Sequence, residues 1–201
     1  CSSVNDWFLA SGDRHAFETF APDMARIVDN AVVQFMAPDL QIKWFGWDDR
    51  VGNGFGSTLN LEAQLSFAAL TIRACGDFAQ TLALAGDALN ATRYTATAKA
   101  LAAKLRARPA TTVPEGAWWE DYGVHAAAYM LNAKIVATAN ESDAVFHRVL
   151  ANARTICSWS PFNQYWILQA LGNLNKMDYV TSQAIHKSTI AFLSCSEIDS
   201  L

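Results

Sequence analysis

The chain has 201 residues, enough for one domain with a substantial core, yet only 17% are charged and 52% are hydrophobic, where about 25% charged is usual in globular proteins. Net charge is −4 and the 15 basic residues are scattered rather than gathered into a stripe, so the electrostatic footprint of a nucleic-acid binder is missing. The longest apolar stretch, residues 59–85, is broken by Asn60, Glu62, Gln64, Arg73 and Asp77, which argues against a membrane span.

The opening residues, CSSVNDWFLASGD, have neither the basic start nor the apolar centre of a signal peptide and read as mid-domain sequence. From there, apolar residues recur at helical spacing: Phe17, Phe20, Met24, Ile27 and Val28, then Leu61, Leu65, Ala68, Ala69 and Ile72, then Ala98, Leu101 and Leu105, each set predicting an amphipathic helix. Only residues 40–45 and 155–159 could form short extended pieces. Laying Gly12-Asp13 over Gly86-Asp87, an offset of 74 residues, reveals a repeat: helix, tight Gly-Asp turn, helix. Glycine supplies the left-handed C-cap of the first helix, and aspartate accepts hydrogen bonds from the first amides of the next. A weaker third copy, ILQALGNLNKMDYVTSQAI, places Gly172-Asn173 in the turn, and YGVHAAAYMLNA followed by SDAVFHRVLANA forms a fourth pair without the Gly-Asp signature. Repeated αα-hairpins must stack to bury their apolar faces, so the expected fold is all-α, either a superhelical solenoid or a closed α/α toroid. Long connections at 38–58, 108–121 and 155–162 alternate with short turns inside the pairs. That asymmetry suits a toroid whose loop face forms a pocket.

Each long connection carries aromatic rings beside polar groups. The first reads WFGWDDRVGNGFG, in which Trp47, Asp48, Asp49 and Arg50 precede three glycines that let backbone pass close to a ligand. In the second, Trp118, Trp119, Glu120 and Asp121 lead into a helix bearing His125. The third, SWSPFNQYW, offers Trp159, Asn163 and Gln164, with Pro161 suited to a first helical turn. A flat ring face beside hydroxyl-binding groups is how proteins hold sugars, and three such segments point to a carbohydrate cleft. Each residue also has an ordinary role open to it: core plug for the tryptophans, N-terminal helix capping for Glu120 and Asp121, core histidine for His125. Asp48, Asp49 and Glu120 are the candidate catalytic carboxylates, and Trp47, Arg50, Trp118, Trp119, Asp121, His125, Trp159, Asn163 and Gln164 the candidate substrate-binding residues.

Other chemistries lack their signatures. There is no phosphate loop and no serine-hydrolase elbow. The histidines at 15, 125, 147 and 186 show no metal spacing, and Cys1, Cys75, Cys157 and Cys195 are spread without a CxxC, so free or buried thiols, no metal and no cofactor are expected. The sequons Asn90-Ala91-Thr92 and Asn140-Glu141-Ser142 lean slightly towards a secreted protein and leave the compartment unknown.

FGWDDRVGNGFGSTLNLEAQLSFAALTIRACGDFA, WWEDYGVHAAAYMLNA and TICSWSPFNQYWILQALGNLNKMDYV resemble, in order and spacing, the catalytic domain of six-hairpin glycosidases of the α-L-rhamnosidase type. The resemblance implies an (α/α)6 barrel and inverting hydrolysis of a terminal sugar, with an acid and a base carboxyl about 6.5–9.5 Å apart. One departure is plain. That family's general acid glutamate precedes the point where this chain begins, and its general base follows a TTxWE-like segment, whereas this chain runs into SCSEIDSL. Glu197 has no tryptophan before it, and the base role is not carried onto it. Residues 1–201 are thus expected to form a single partial domain of about three to four hairpins, a glycosidase or a fragment of one, with self-association through uncovered helix faces. A non-catalytic sugar-binding module and a helical-repeat protein scaffold are the alternatives.

Overall fold

The computed structural model describes residues 2–36, 61–110, 116–136, 138–151 and 161–181. They form seven α-helices, α1 (Ser2–Ser11), α2 (Arg14–Met36), α3 (Leu61–Leu84), α4 (Ala88–Arg106), α5 (Val124–Asn132), α6 (Ala139–Val145) and α7 (Pro161–Asn173), with α6 running on into a π turn, Phe146–Leu150. A short helical stretch follows at 177–181, and no strand occurs among the described residues. The chain is therefore all-α. The extended pieces expected at 40–45 and 155–159 lie outside the described residues, and no described helix is long and apolar enough to cross a membrane.

Both Gly-Asp turns form as their chemistry dictates. Gly12 (φ 68°) and Gly86 (φ 88°) take the left-handed conformation that glycine adopts without a Cβ penalty. After α1 the Gly12 amide donates to the Phe8 carbonyl at 2.8 Å, while after α3 the amides of Gly86 and Asp87 donate to Ala83 and Leu82, the doubled pattern of a Schellman cap. Asp13 and Asp87 then cap the following helices, accepting from the amides of Ala16 at 3.0 Å and Asn90 at 3.1 Å. The third turn differs from the sequence expectation. Gly172 and Asn173 remain inside α7, and the left-handed residue is Asn175 (φ 56°). The amides of Asn175 and Lys176 reach back to Gly172 and Leu171; asparagine tolerates this conformation, so the glycine was not needed at the cap. After α5 the same cap is built on Lys134 (φ 56°), with bonds from Lys134 and Ile135 to Leu131 and Met130.

The core is continuous from α1 to α7. Phe8, Phe17, Phe78 and Tyr94 form an aromatic chain with successive ring centroids 5.1, 6.2 and 4.9 Å apart. All nine residues of α5 are buried, which is the expected state of a helix that is apolar on every side. On α2 the buried line is Phe17, Met24, Val28 and Phe35, while Phe20 and Ile27 are half exposed, contrary to the helical spacing that grouped them with the core. The reason is coverage: among the described residues α2 packs chiefly on α1 and α3, so its apolar stripe is wider than the neighbours that cover it.

Polar contacts fix the helix order. Asp29 of α2 takes the Arg93 guanidinium of α4 with both oxygens at 2.9 Å and the Tyr94 hydroxyl at 3.1 Å. Burial, then the bond to Asp29, pushes the Tyr94 hydroxyl up to about 12. Burial chiefly, with the nearby Asp29 charge, does the same to the Cys75 thiol, also to about 12, and Cys75 is free, as the cysteine spacing implied.

Two measurements test this frame. Gly86→Ala forces a side chain into a left-handed position and is expected to cost about 1 kcal/mol or more. Gly76→Ala, inside α3 with open space at its Cβ position, should instead stabilise by about 0.5–1 kcal/mol, both read from urea midpoints. Secondly, because the raised Tyr94 group is neutral in the fold, its contribution is fully present below its ordinary value of about 10 and is lost as pH rises towards about 12. Urea midpoints taken across that window should fall in the native chain and fall less in Tyr94→Phe.

Candidate functional site

In the sequence, the long connections precede α3, α5 and α7. Glu62, in the first turn of α3, meets the first turn of α5. At the other ends, Asn173 of α7 donates to the Asn132 side chain of α5 at 3.0 Å. Midway, Arg73 of α3 donates to Gln169 of α7 at 2.7 Å and lies over the Trp166 ring. These pairings make α3, α5 and α7 parallel neighbours whose first residues lie at one end of the helix layer.

The second aromatic segment is the one described there. Residues 117–122 turn tightly, the amide of Glu120 donating to Ala117 and that of Tyr122 to Trp119. Trp118 is partly buried, Trp119 buried. The Trp118 indole N–H donates to Glu141 Oε1 at 2.6 Å, and the Arg106 guanidinium lies over the same ring while bonding to Glu141 at 3.1 Å and to the Ile135 carbonyl. Trp118 thus ties α4 to the start of α6. Glu120 is paired with Arg148, whose guanidinium also lies over the Trp119 ring. Arg148 sits in the π turn that ends α6, and such turns recur at functional sites. Presenting Glu120 to a substrate requires opening this pair.

Asp121 is fully enclosed, 3.6 Å from the Arg108 guanidinium. Beside it, burial pushes the Tyr122 hydroxyl upward, against the pull of Arg108. Neither the Tyr122 hydroxyl nor Nη1 of Arg108 has a hydrogen-bond partner among the described residues.

His125 is 1% exposed, and its Nδ1 lies 3.3 Å from Glu62 Oε1 without hydrogen-bond geometry at either ring nitrogen. Glu62 Oε1 accepts the His125 backbone amide at 2.9 Å. Gly123, the N-cap of α5, has no side chain to offer, and a Cβ there would overlap the Glu62 carboxylate. Glutamate 62 therefore caps α5 from the neighbouring helix, close enough only because residue 123 is glycine.

Of the residues expected in the site, Trp118, Trp119, Glu120, Asp121 and His125 fall in one stretch of chain at this end, and Gln164 lies partly buried in the first turn of α7. Trp47, Asp48, Asp49, Arg50 and Trp159 lie outside the described residues, as does the side chain of Asn163. Among those described, no cluster of three or more histidine, cysteine, aspartate or glutamate side chains could hold a metal ion. Glu62, Tyr122, Arg108 and Arg148 were missed by sequence reasoning. Only Glu62 carried a signal: an acid in the first turn of a helix that opens after a glycine-rich segment.

In comparisons with known proteins the chain matches no family model, no curated protein and no solved structure.

Trp118→Phe keeps the ring but removes the indole donor to Glu141. It should lower stability by about 1.5 kcal/mol or more, the usual scale for a bond to a charged, half-buried acceptor, measured as a shift in the urea midpoint; an unchanged midpoint would mean that the indole bond does not contribute to the fold.

Proposed function

We propose that this chain is the sugar-binding part of an αα-hairpin toroid of (α/α)6 type, similar to the α-L-rhamnosidase group of six-hairpin glycosidases, acting on terminal sugars of carbohydrates or glycosides. One observation carries the reading. α3, α5 and α7 lie side by side and parallel, so three connections, each with tryptophan beside acid or amide groups, lead into the same end of the layer. Successive helices joined by tight capped turns fit a hairpin repeat, and the resemblance to the six-hairpin toroid implies an inner ring in which α3, α5 and α7 would start around one mouth.

The chemistry follows from residue types. Tryptophan rings offer flat apolar faces to the C–H side of a sugar, and carboxylates and amides accept and donate to its hydroxyls. Inverting hydrolysis needs one carboxyl to protonate the leaving oxygen and another to take a proton from the attacking water. Asp48, Asp49 and Glu120 are the carboxylates available for those roles.

A second reading, a sugar-binding module without turnover, is favoured by one contact. The Glu120 carboxylate is engaged by Arg148 and only 14% exposed, an arrangement that suits holding the Trp119 wall in place better than proton transfer.

Calorimetric titration with L-rhamnose and other monosaccharides, beside a p-nitrophenyl glycoside release assay on the same preparation, separates the two. Hydrolysis lost in Asp48→Asn, Asp49→Asn or Glu120→Gln with the fold intact supports the enzyme, and full activity in all three overturns it. Binding that disappears in Trp47→Ala with no turnover at any concentration supports the module. No binding by any saccharide tested sinks the sugar cleft altogether.

A further inference from the structure

A helix start normally takes its cap from the residue that begins it. α5 does not: its N-cap is Gly123, with no side-chain hydrogen bond. The acceptor arrives from another helix, Glu62 Oε1 on α3, at 2.9 Å from the amide of His125, the second residue of α5. Closeness is enforced from both sides. Glycine at 123 leaves the volume that the carboxylate occupies, and the fully buried His125 ring places Nδ1 3.3 Å from the same oxygen. Immediately ahead of this junction, in a turn closed by the amides of Glu120 and Tyr122 on the carbonyls of Ala117 and Trp119, stand Trp118, Trp119, Glu120 and Asp121.

Resting on the sugar-cleft reading, we propose that Glu62 is a positioning residue of that cleft: by capping α5 across the α3–α5 contact it sets where the 118–122 wall stands. The cap is a contact between elements rather than within one, so it reports on the spacing of α3 and α5 as an internal cap would not. Glu62 is 22% exposed, on the rim of the layer rather than deep in the core, which makes it a fixing point for a surface wall. The negative carboxylate at the positive end of the α5 dipole adds to the hold.

The test uses the whole chain and three variants. Glu62→Gln keeps an oxygen able to accept the His125 amide; Glu62→Ala removes it; Gly123→Ala leaves the carboxylate intact and displaces it. Amide exchange read by mass spectrometry on peptides covering 118–127, and the affinity for L-rhamnose by titration, are measured on each. The expected result is exchange in 118–127 faster by roughly tenfold in Glu62→Ala and in Gly123→Ala, the scale of a lost cap, with α1 and α4 unchanged. L-Rhamnose affinity should fall by a similar factor in both variants, and Glu62→Gln should stay near the native chain in both measurements.

Exchange that rises equally in every helix would make Glu62 a general stabiliser and overturn the proposal, as would unchanged exchange in both disruptive variants. Faster exchange with L-rhamnose affinity intact would leave the cap real but unconnected to binding, and would overturn the positioning role. If the native chain binds no L-rhamnose, the sugar reading fails for that ligand and the positioning role falls with it, a result the exchange data keep distinct from a failure of the cap.

Discussion

Everything described here depends on the burial of α5. Its nine residues are all covered, and the coverage comes from α3 on one side and α7 on the other. Alanine makes that closeness affordable: Ala126, Ala127 and Ala128 meet a layer in which Ala68, Ala69 and Ala170 are also fully buried. Short side chains lose almost no rotamer entropy on burial and let helix backbones approach. The larger groups, Leu65, Met130, Ile167 and Leu171, fill what remains. A helix so enclosed cannot use water to satisfy its own termini, and this chain solves the problem twice, with a left-handed Lys134 at the C-terminal end and a borrowed carboxylate at the N-terminal end.

The second solution explains where the scarce charges go. Only 17% of residues are charged, and among those described a large share pair between elements: Asp29 with Arg93, Arg106 with Glu141, Arg108 with Asp121, Arg148 with Glu120, Lys176 with Asp143. The exposed pairs contribute about 0–1 kcal/mol each, and the enclosed Asp121 carboxylate must first offset its desolvation, so such pairs are not the source of cohesion. Their work is registration. Apolar helix faces slide over one another at little cost, whereas an arginine fork on a carboxylate is satisfied in one register only.

How much of this was legible in the sequence follows the same division. The helices, the Gly12 and Gly86 caps and the aspartates behind them were legible because they are local: period, φ preference and capping acceptor lie within a few residues. The third turn was misplaced at Gly172 because a glycine in a helical pattern was read as a cap, while asparagine three residues later took the left-handed position. Phe20 and Ile27 were grouped with the core because spacing marks which face is apolar and says nothing about how wide a neighbour covers it. In the candidate site, the segment 118–121 and His125 were legible as chemistry-bearing residues. Glu62 was not, since its meaning lies in a partner 63 positions away, and nothing in the segment YGVHAAAYMLNA marks Gly123 as the glycine that admits it.

The Trp118-Trp119 pair joins the apolar core to the charged contacts at the end of the layer. Trp118 spends its indole donor on Glu141 and its face on Arg106; Trp119 is covered by Arg148. Taken singly, each is a packed aromatic. Yet each ring, besides its place in or against the apolar core, also touches charged groups at the end of the layer. The contacts to Arg106, Glu141 and Arg148, more than the tryptophans themselves, set this end of the molecule apart from the apolar middle of the layer.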